Sequence, residues 1–137
     1  MSKSLEFFFD FGSPTTYLAW TQLPKIAAEA GATIIWRPML LGGVFKATGN
    51  QSPVNIPAKA RYMLQDLARY ARRYGVPMTF NPHFPINTLM LMRAVTGMQL
   101  RHPERFATFI DCLFKALWVD GRSLDEPTTV AAVLTEN

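Results

Sequence analysis

The residue best placed to do chemistry is Ser13, in the stretch 6–17, "EFFFDFGSPTTY". An aromatic run closes on Asp10 and Phe11, and Gly12-Ser13-Pro14 then reads as the start of a helix. Serine before proline suits an N-cap: the hydroxyl oxygen takes a free N–H of the first turn, and proline at the first helical position has no N–H to lose. The same spot favours anions, because the helix dipole and its unpaired N–H groups converge there. A hydroxyl at that point can donate to a thiolate or an oxyanion and so lower the pKa of a bound thiol. Capping alone also accounts for the serine, and both readings stand at this level. A hydrolase elbow does not fit, since G-x-S-x-G is absent and only two histidines exist to act as base.

Other reactive side chains are scattered. His83 sits in a loop between Pro82 and Phe84, while His102 directly precedes Pro103 at a helix start. Neither has metal-ligand spacing with carboxylates or with Cys112, so no metal site is expected. Cys112, between Ile110 and Leu113, reads as a small packed thiol. Lys46 lies in a glycine-rich segment where a positive charge can meet a substrate carboxylate, and Asn55 could add an orienting amide. Trp118 either walls an apolar pocket or packs in the core.

The elements that must position these groups follow from the pattern. Residues 5–11 are aromatic-rich and read as a buried strand. Tyr17, Leu18, Trp20, Leu23, Ile26 and Ala27 recur at helical spacing over 14–30, where Pro24 should kink or divide the helix. Residues 33–38 form a second strand, so the three pieces predict a βαβ unit with parallel strands. Residues 40–57 hold three glycines, two prolines, two asparagines and a serine, which predicts a long ordered loop. Helices follow over about 58–74 and 88–98, from Pro103, and from near Pro127, with a second loop at 75–87. A two-stranded parallel unit needs further strands or another chain to complete its sheet.

Composition narrows the class. A chain of 137 residues supports one domain with a real core, and 49% hydrophobic against 18% charged residues excludes a disordered chain. The net charge of +4 comes from scattered Lys and Arg; without a clustered basic stripe no nucleic-acid partner is expected. A single cysteine rules out an internal disulfide or a CxxC pair and suits a reducing, cytoplasmic setting. Glu6 interrupts the N-terminal apolar run and no stretch reaches membrane-spanning length, so neither a signal peptide nor a membrane partner is expected.

Four separated motifs, "FDFGSPTTYLA", "LGGVFKATGN", "PAKARYMLQDLARYARRYGVPM" and "FPINTLMLMRA", resemble the 2-hydroxychromene-2-carboxylate isomerases. These belong with kappa-class glutathione transferases and the DsbA-like thioredoxin-fold proteins. The resemblance runs through nearly all of the chain. It implies an α/β, thioredoxin-like fold with an inserted α-helical domain, residues 1–57 forming the βαβ part plus substrate loop and 58–137 the insertion.

The resemblance also implies a chemistry. Ser13 matches the family's catalytic and glutathione-binding serine, at the position where redox relatives carry the first cysteine of CxxC. Lys46 lies within one residue of a substrate-loop position for which Phe45 competes. Asn55 and Phe84 match positions near the organic substrate, and Trp118, in "LWVDG", matches a segment beside the pocket. The implied reaction is a glutathione-dependent isomerisation of a small aromatic carboxylate, the thiol adding reversibly so that a double bond can rotate. A kappa-like glutathione transferase and an inactive or interaction remnant of a DsbA-like protein are the alternatives, and a homodimer is expected from the family. Two departures stand out. The family continues past the position of Asn137 with the last two strands and helix, so a C-terminally incomplete fold with weak or no glutathione affinity is expected. Gly12 replaces a larger apolar residue, which implies a looser turn.

Overall fold

In the computed structural model, which describes residues 3–136, strands β1 (Lys3–Phe9) and β2 (Ala32–Pro38) pair in parallel, from Lys3 opposite Ala32 to Phe9 opposite Pro38. Helix α1 (Pro14–Glu29) connects them, so the expected βαβ unit is present. Strand periodicity sorts the faces: Phe9 is buried and Leu5, Phe7, Ile34 and Trp36 half-buried, while Ser4, Glu6, Phe8, Thr33, Ile35 and Arg37 are exposed. Trp36 collects the inner face, with Phe7 at 5.6 Å and Trp20 of α1 at 4.8 Å between ring centroids. On the outer face Arg37 and Glu6 pair at 2.6 Å across the two strands.

Pro24 does not divide α1, which runs unbroken to Glu29. Proline removes one helical hydrogen bond, but Leu18 and Trp20 before it and Ala27 after it are all buried, so packing sustains the helix on both sides of it. A larger correction concerns 40–57. It is not a continuous loop, because α2 spans Leu41–Thr48 and a single 3₁₀ turn spans Pro53–Asn55. Gly42 and Gly43 lower the helical preference of this stretch by roughly 1 kcal/mol each, which explains the loop reading. The start of α2 is instead secured by tertiary contact, described below, and its end by Gly49 in the left-handed region at φ 68°.

Four longer helices complete the chain: α3 (Pro57–Tyr74), α4 (Leu89–Arg101), α5 (Phe106–Trp118) and α6 (Pro127–Thr135). The expected helix at Pro103 begins as a 3₁₀ turn, Pro103–Arg105, before α5. Helix α5 is the centre of the molecule, with Ile110, Leu113, Leu117 and Trp118 wholly buried. Its Phe114 meets Phe11, Tyr17 and Trp20 at 4.9, 5.9 and 6.1 Å, which docks the helical half onto the βαβ unit. Such aromatic pairs add about 0.5–1.5 kcal/mol each beyond their buried area. One apolar cluster therefore runs from Phe9 and Phe11 through Leu91 and Val95 to Trp118, across the boundary expected at 57/58. Residues 1, 2 and 137, the outer limits of the expected domains, lie outside the described residues. No described helix is long and apolar enough to cross a membrane.

Candidate functional site

Ser13 caps α1 as its sequence context predicts. Its backbone is extended (φ −101°, ψ 112°), and its Oγ accepts the Thr16 N–H at 3.2 Å. The Ser13 carbonyl accepts the Thr16 and Tyr17 N–H groups at 3.1 and 3.3 Å. Pro14 has no N–H, and the Thr15 N–H takes no acceptor among the described residues. Ser13 Oγ and Thr15 Oγ1 lie 2.9 Å apart on the exposed side, and either can be the donor. Two hydroxyls and one unpaired N–H thus surround the positive end of a 16-residue helix, an arrangement suited to a single anionic atom. Thr15 went unassigned in the sequence; its signal was a second hydroxyl in "SPTT", at the second helical position.

The turn before Ser13 is held tightly. Asp10, only 2% exposed, accepts the Gly12 N–H on Oδ1 at 2.8 Å, and its carbonyl accepts the Ser13 N–H at 3.1 Å. At Gly12 a Cβ would lie 3.2 Å from Thr88 Cγ2, tighter than ordinary contact, so the turn passes close against the start of α4, and the two Asp10 bonds hold it without a larger apolar residue. Beneath the turn, Trp118 donates its indole N–H to the Phe11 carbonyl at 2.8 Å.

The other sequence-predicted residues fall into two groups. Phe84 and Trp118 come together, with ring centroids 5.9 Å apart and Phe80 against both at 5.2 and 6.0 Å. Trp118 is wholly buried, so it supports the Ser13 turn from below. Lys46 is exposed in the last turn of α2. Asn55 is exposed in the 3₁₀ turn, its amide donating to Gln51 at 3.3 Å, and neither has a polar contact with Ser13.

Asn81 is a positioning residue that sequence reading missed. It is 1% exposed, donates to the Leu117 and Arg122 carbonyls at 2.9 and 2.8 Å, and accepts the His83 N–H at 2.8 Å. It thereby fastens the 75–87 loop, which carries Phe84, to the end of α5. A buried asparagine flanked by Phe80 and Pro82 was the available signal.

Two groups titrate away from their ordinary values. Burial pushes the Tyr17 phenol up, and the nearby Asp111 adds to this; Tyr17 Oη donates to the Pro77 carbonyl at 2.6 Å. Burial also pushes the Cys112 thiol up, and its Sγ lies 3.4 Å from the Val133 carbonyl. Cys112 is thus a packed thiol, as its position between apolar residues predicts. Among the described residues no three His, Cys, Asp or Glu converge on a metal-sized site. A groove between α3 and segment 75–80, lined by Leu64, Leu67, Ala71, Arg72, Met78 and Phe80, is broad but carries little besides Arg72 to react or orient.

Known proteins place this arrangement in context. A family model described as "DSBA-like thioredoxin domain" matches residues 4–137. The 2-hydroxychromene-2-carboxylate isomerase of Sphingobium xenophagum is 31% identical over 131 residues, covering 92% of this chain and 65% of that protein. Glutathione S-transferase kappa 1 of Caenorhabditis elegans is 37% identical over 136 residues, covering 95% of this chain and 60% of that protein. A solved structure of 2-hydroxychromene-2-carboxylate isomerase matches with a TM-score of 0.82 at 30% identity, over 97% of this chain and 64% of that one. The chain spans a little under two thirds of the length of these relatives.

Proposed function

The chain belongs to the DsbA-like thioredoxin-domain family, and from that premise we propose that it is a glutathione-dependent isomerase of 2-hydroxychromene-2-carboxylate or a closely similar aromatic carboxylate. One observation carries this reading. The Ser13 oxygen accepts the Thr16 N–H, and with Thr15 as the donor in the Ser13–Thr15 contact the Ser13 proton points outward at the positive end of α1. Thr15 stands beside it with an exposed hydroxyl and an unpaired N–H. That donor set fits an anionic sulfur better than it fits a nucleophilic serine, for no described base contacts Ser13.

Glutathione, when bound, supplies a thiol nucleophile that renders a substrate double bond transiently single. The chain's own contribution is to hold the sulfur in its ionised form with Ser13, Thr15 and the α1 dipole. Lys46 and Asn55 meet the substrate carboxylate and its neighbouring oxygen, while Phe84, backed by Trp118, offers an aromatic wall. On this reading residues 1–57 form the thioredoxin-like part with its substrate loop, and 58–137 the helical insertion.

Thiolate formation gives a direct test. Adding glutathione at neutral pH, in the large excess that the weak affinity expected of this chain requires, should produce the ultraviolet absorbance of a bound thiolate, and Ser13→Ala should abolish it. The same substitution should lower turnover about a hundredfold, as loss of one donor to a developing anion does. Equal thiolate signal in both proteins would remove Ser13 from the reaction. The second reading, a kappa-like glutathione transferase, is favoured by the 37% identity to the Caenorhabditis elegans protein. Chlorodinitrobenzene and a chromene carboxylate, each with glutathione, separate the two: conjugate without isomer selects the transferase. No thiolate signal and no turnover of either compound would select the inactive or interaction remnant.

A further inference from the structure

Asp10 is the one buried acid of the molecule among the described residues, and its partners are unusual. Oδ1 accepts the Gly12 N–H and Oδ2 accepts the Leu41 N–H, both at 2.8 Å. No lysine, arginine or histidine is among its partners. A buried carboxylate held only by neutral donors is costly to keep, so what it joins deserves a reason. It joins two helix starts. Gly12 leads into α1 through Ser13, and Leu41 is the first residue of α2. Leu40, the N-cap of α2, has no side chain able to cap, so Asp10 caps α2 from 31 residues away.

Both helix starts lie just beyond the carboxyl ends of β1 and β2, where Met39 N–H also bonds the Phe9 carbonyl at 3.0 Å. In sheets of parallel strands linked by helices, that end is where ligands bind. Helix α2 has no buried residue, and two glycines sit in its first turn, so besides the Asp10 bond its start is held only by what precedes it, Leu40 packed against the core and the Met39–Phe9 bond. Its Lys46 is assigned to the organic substrate above, with Phe45 competing for the same position.

We propose that Asp10 is a positioning residue: its carboxylate locks the start of α2 to the Ser13 turn and so sets the separation between the substrate segment and the sulfur-binding hydroxyl. The functional half of this rests on the reading of Ser13 given above; the tether itself does not. Asp10 touches no ligand and acts only through the two backbone N–H groups.

Two variants test it. Asp10→Asn keeps one acceptor for Gly12 and turns an amide N–H₂ toward the Leu41 N–H. Leu41→Pro removes that N–H while leaving the Asp10 carboxylate and its bond to Gly12 in place, at a first helical position where proline is tolerated, after a Leu40 already extended at φ −95°, ψ 101°. In both, amide hydrogen exchange over α2 should quicken about tenfold or more, the loss expected for a bond to a charged acceptor, while α5 keeps its protection. Unchanged exchange in α2, or a uniform rise through α5 as well, overturns the proposal. With chromene carboxylate and glutathione, Leu41→Pro should raise KM for the chromene about tenfold, with kcat and the thiolate absorbance retained. A fall in kcat with KM unchanged overturns the positioning role. If the unaltered protein forms no thiolate at all, the glutathione reading falls, and the exchange data alone decide for or against the tether.

Discussion

The Ser13 turn and the segment 41–56 flank the same end of the two-stranded sheet, yet they are held in opposite ways. The turn is tied by Asp10 on one side, pressed by Thr88 on another, and supported by Trp118 from beneath. The segment 41–56 has no buried residue in α2 or in its 3₁₀ turn, and the Asp10–Leu41 bond meets it at its start. On the proposed reading, the difference matches how two tasks would divide. Holding a small anion needs donors fixed to a fraction of an ångström, whereas receiving a varied organic molecule is served by a segment that can adjust.

Substitutions that break the rigid side should do the most damage. Trp118→Ala removes a wholly buried ring, its contacts with Phe80 and Phe84, and the bond to the Phe11 carbonyl. It should cost about 3–5 kcal/mol in denaturant unfolding. Asn81→Ala strands the Leu117 and Arg122 carbonyls and the His83 N–H, and should cost about 2 kcal/mol, with chromene turnover falling as Phe84 loses its place.

Tyr17→Phe gives a smaller effect with a pH signature. The folded Tyr17 holds its proton more tightly than the unfolded chain, because burial and then Asp111 disfavour the phenolate. Its contribution is therefore full below the ordinary tyrosine value, near 10, and is lost as pH rises through the higher folded value. Thermal melts should show that alkaline loss in the unaltered protein and a shallower one in Tyr17→Phe. At neutral pH the variant should lose about 1 kcal/mol with the bond to the Pro77 carbonyl.

The mildest changes probe the open side. Lys46→Ala and Asn55→Ala, both at exposed positions, should alter stability by less than about 0.5 kcal/mol. Steady-state kinetics should instead show a raised KM for the chromene carboxylate. Loss of stability comparable to Trp118→Ala would mean that the two regions are held alike.

Much of this was legible along the chain. Ser13 as the cap of α1, the two parallel strands, and the helices from Pro57 and Pro127 rest on contacts within a few residues, which local residue types specify. The family resemblance pointed to the thioredoxin-like fold, in agreement with the family match over 4–137. Helix α2 was illegible for a definable reason: Gly42 and Gly43 argue against a helix locally, and the counterweight lies at Asp10. Pro24 misled in the same way, since burial on both sides of it outweighs one lost bond.

By itself, then, the sequence determined where a hydroxyl meets a helix start, because capping is decided by neighbours three residues apart or fewer. Only the tertiary structure decided what that hydroxyl stands on. The bonds from Leu41 to Asp10 and from Trp118 to Phe11 join residues 31 and 107 positions apart. Such pairings depend on how whole elements pack around α5, and no local pattern of residue types encodes them.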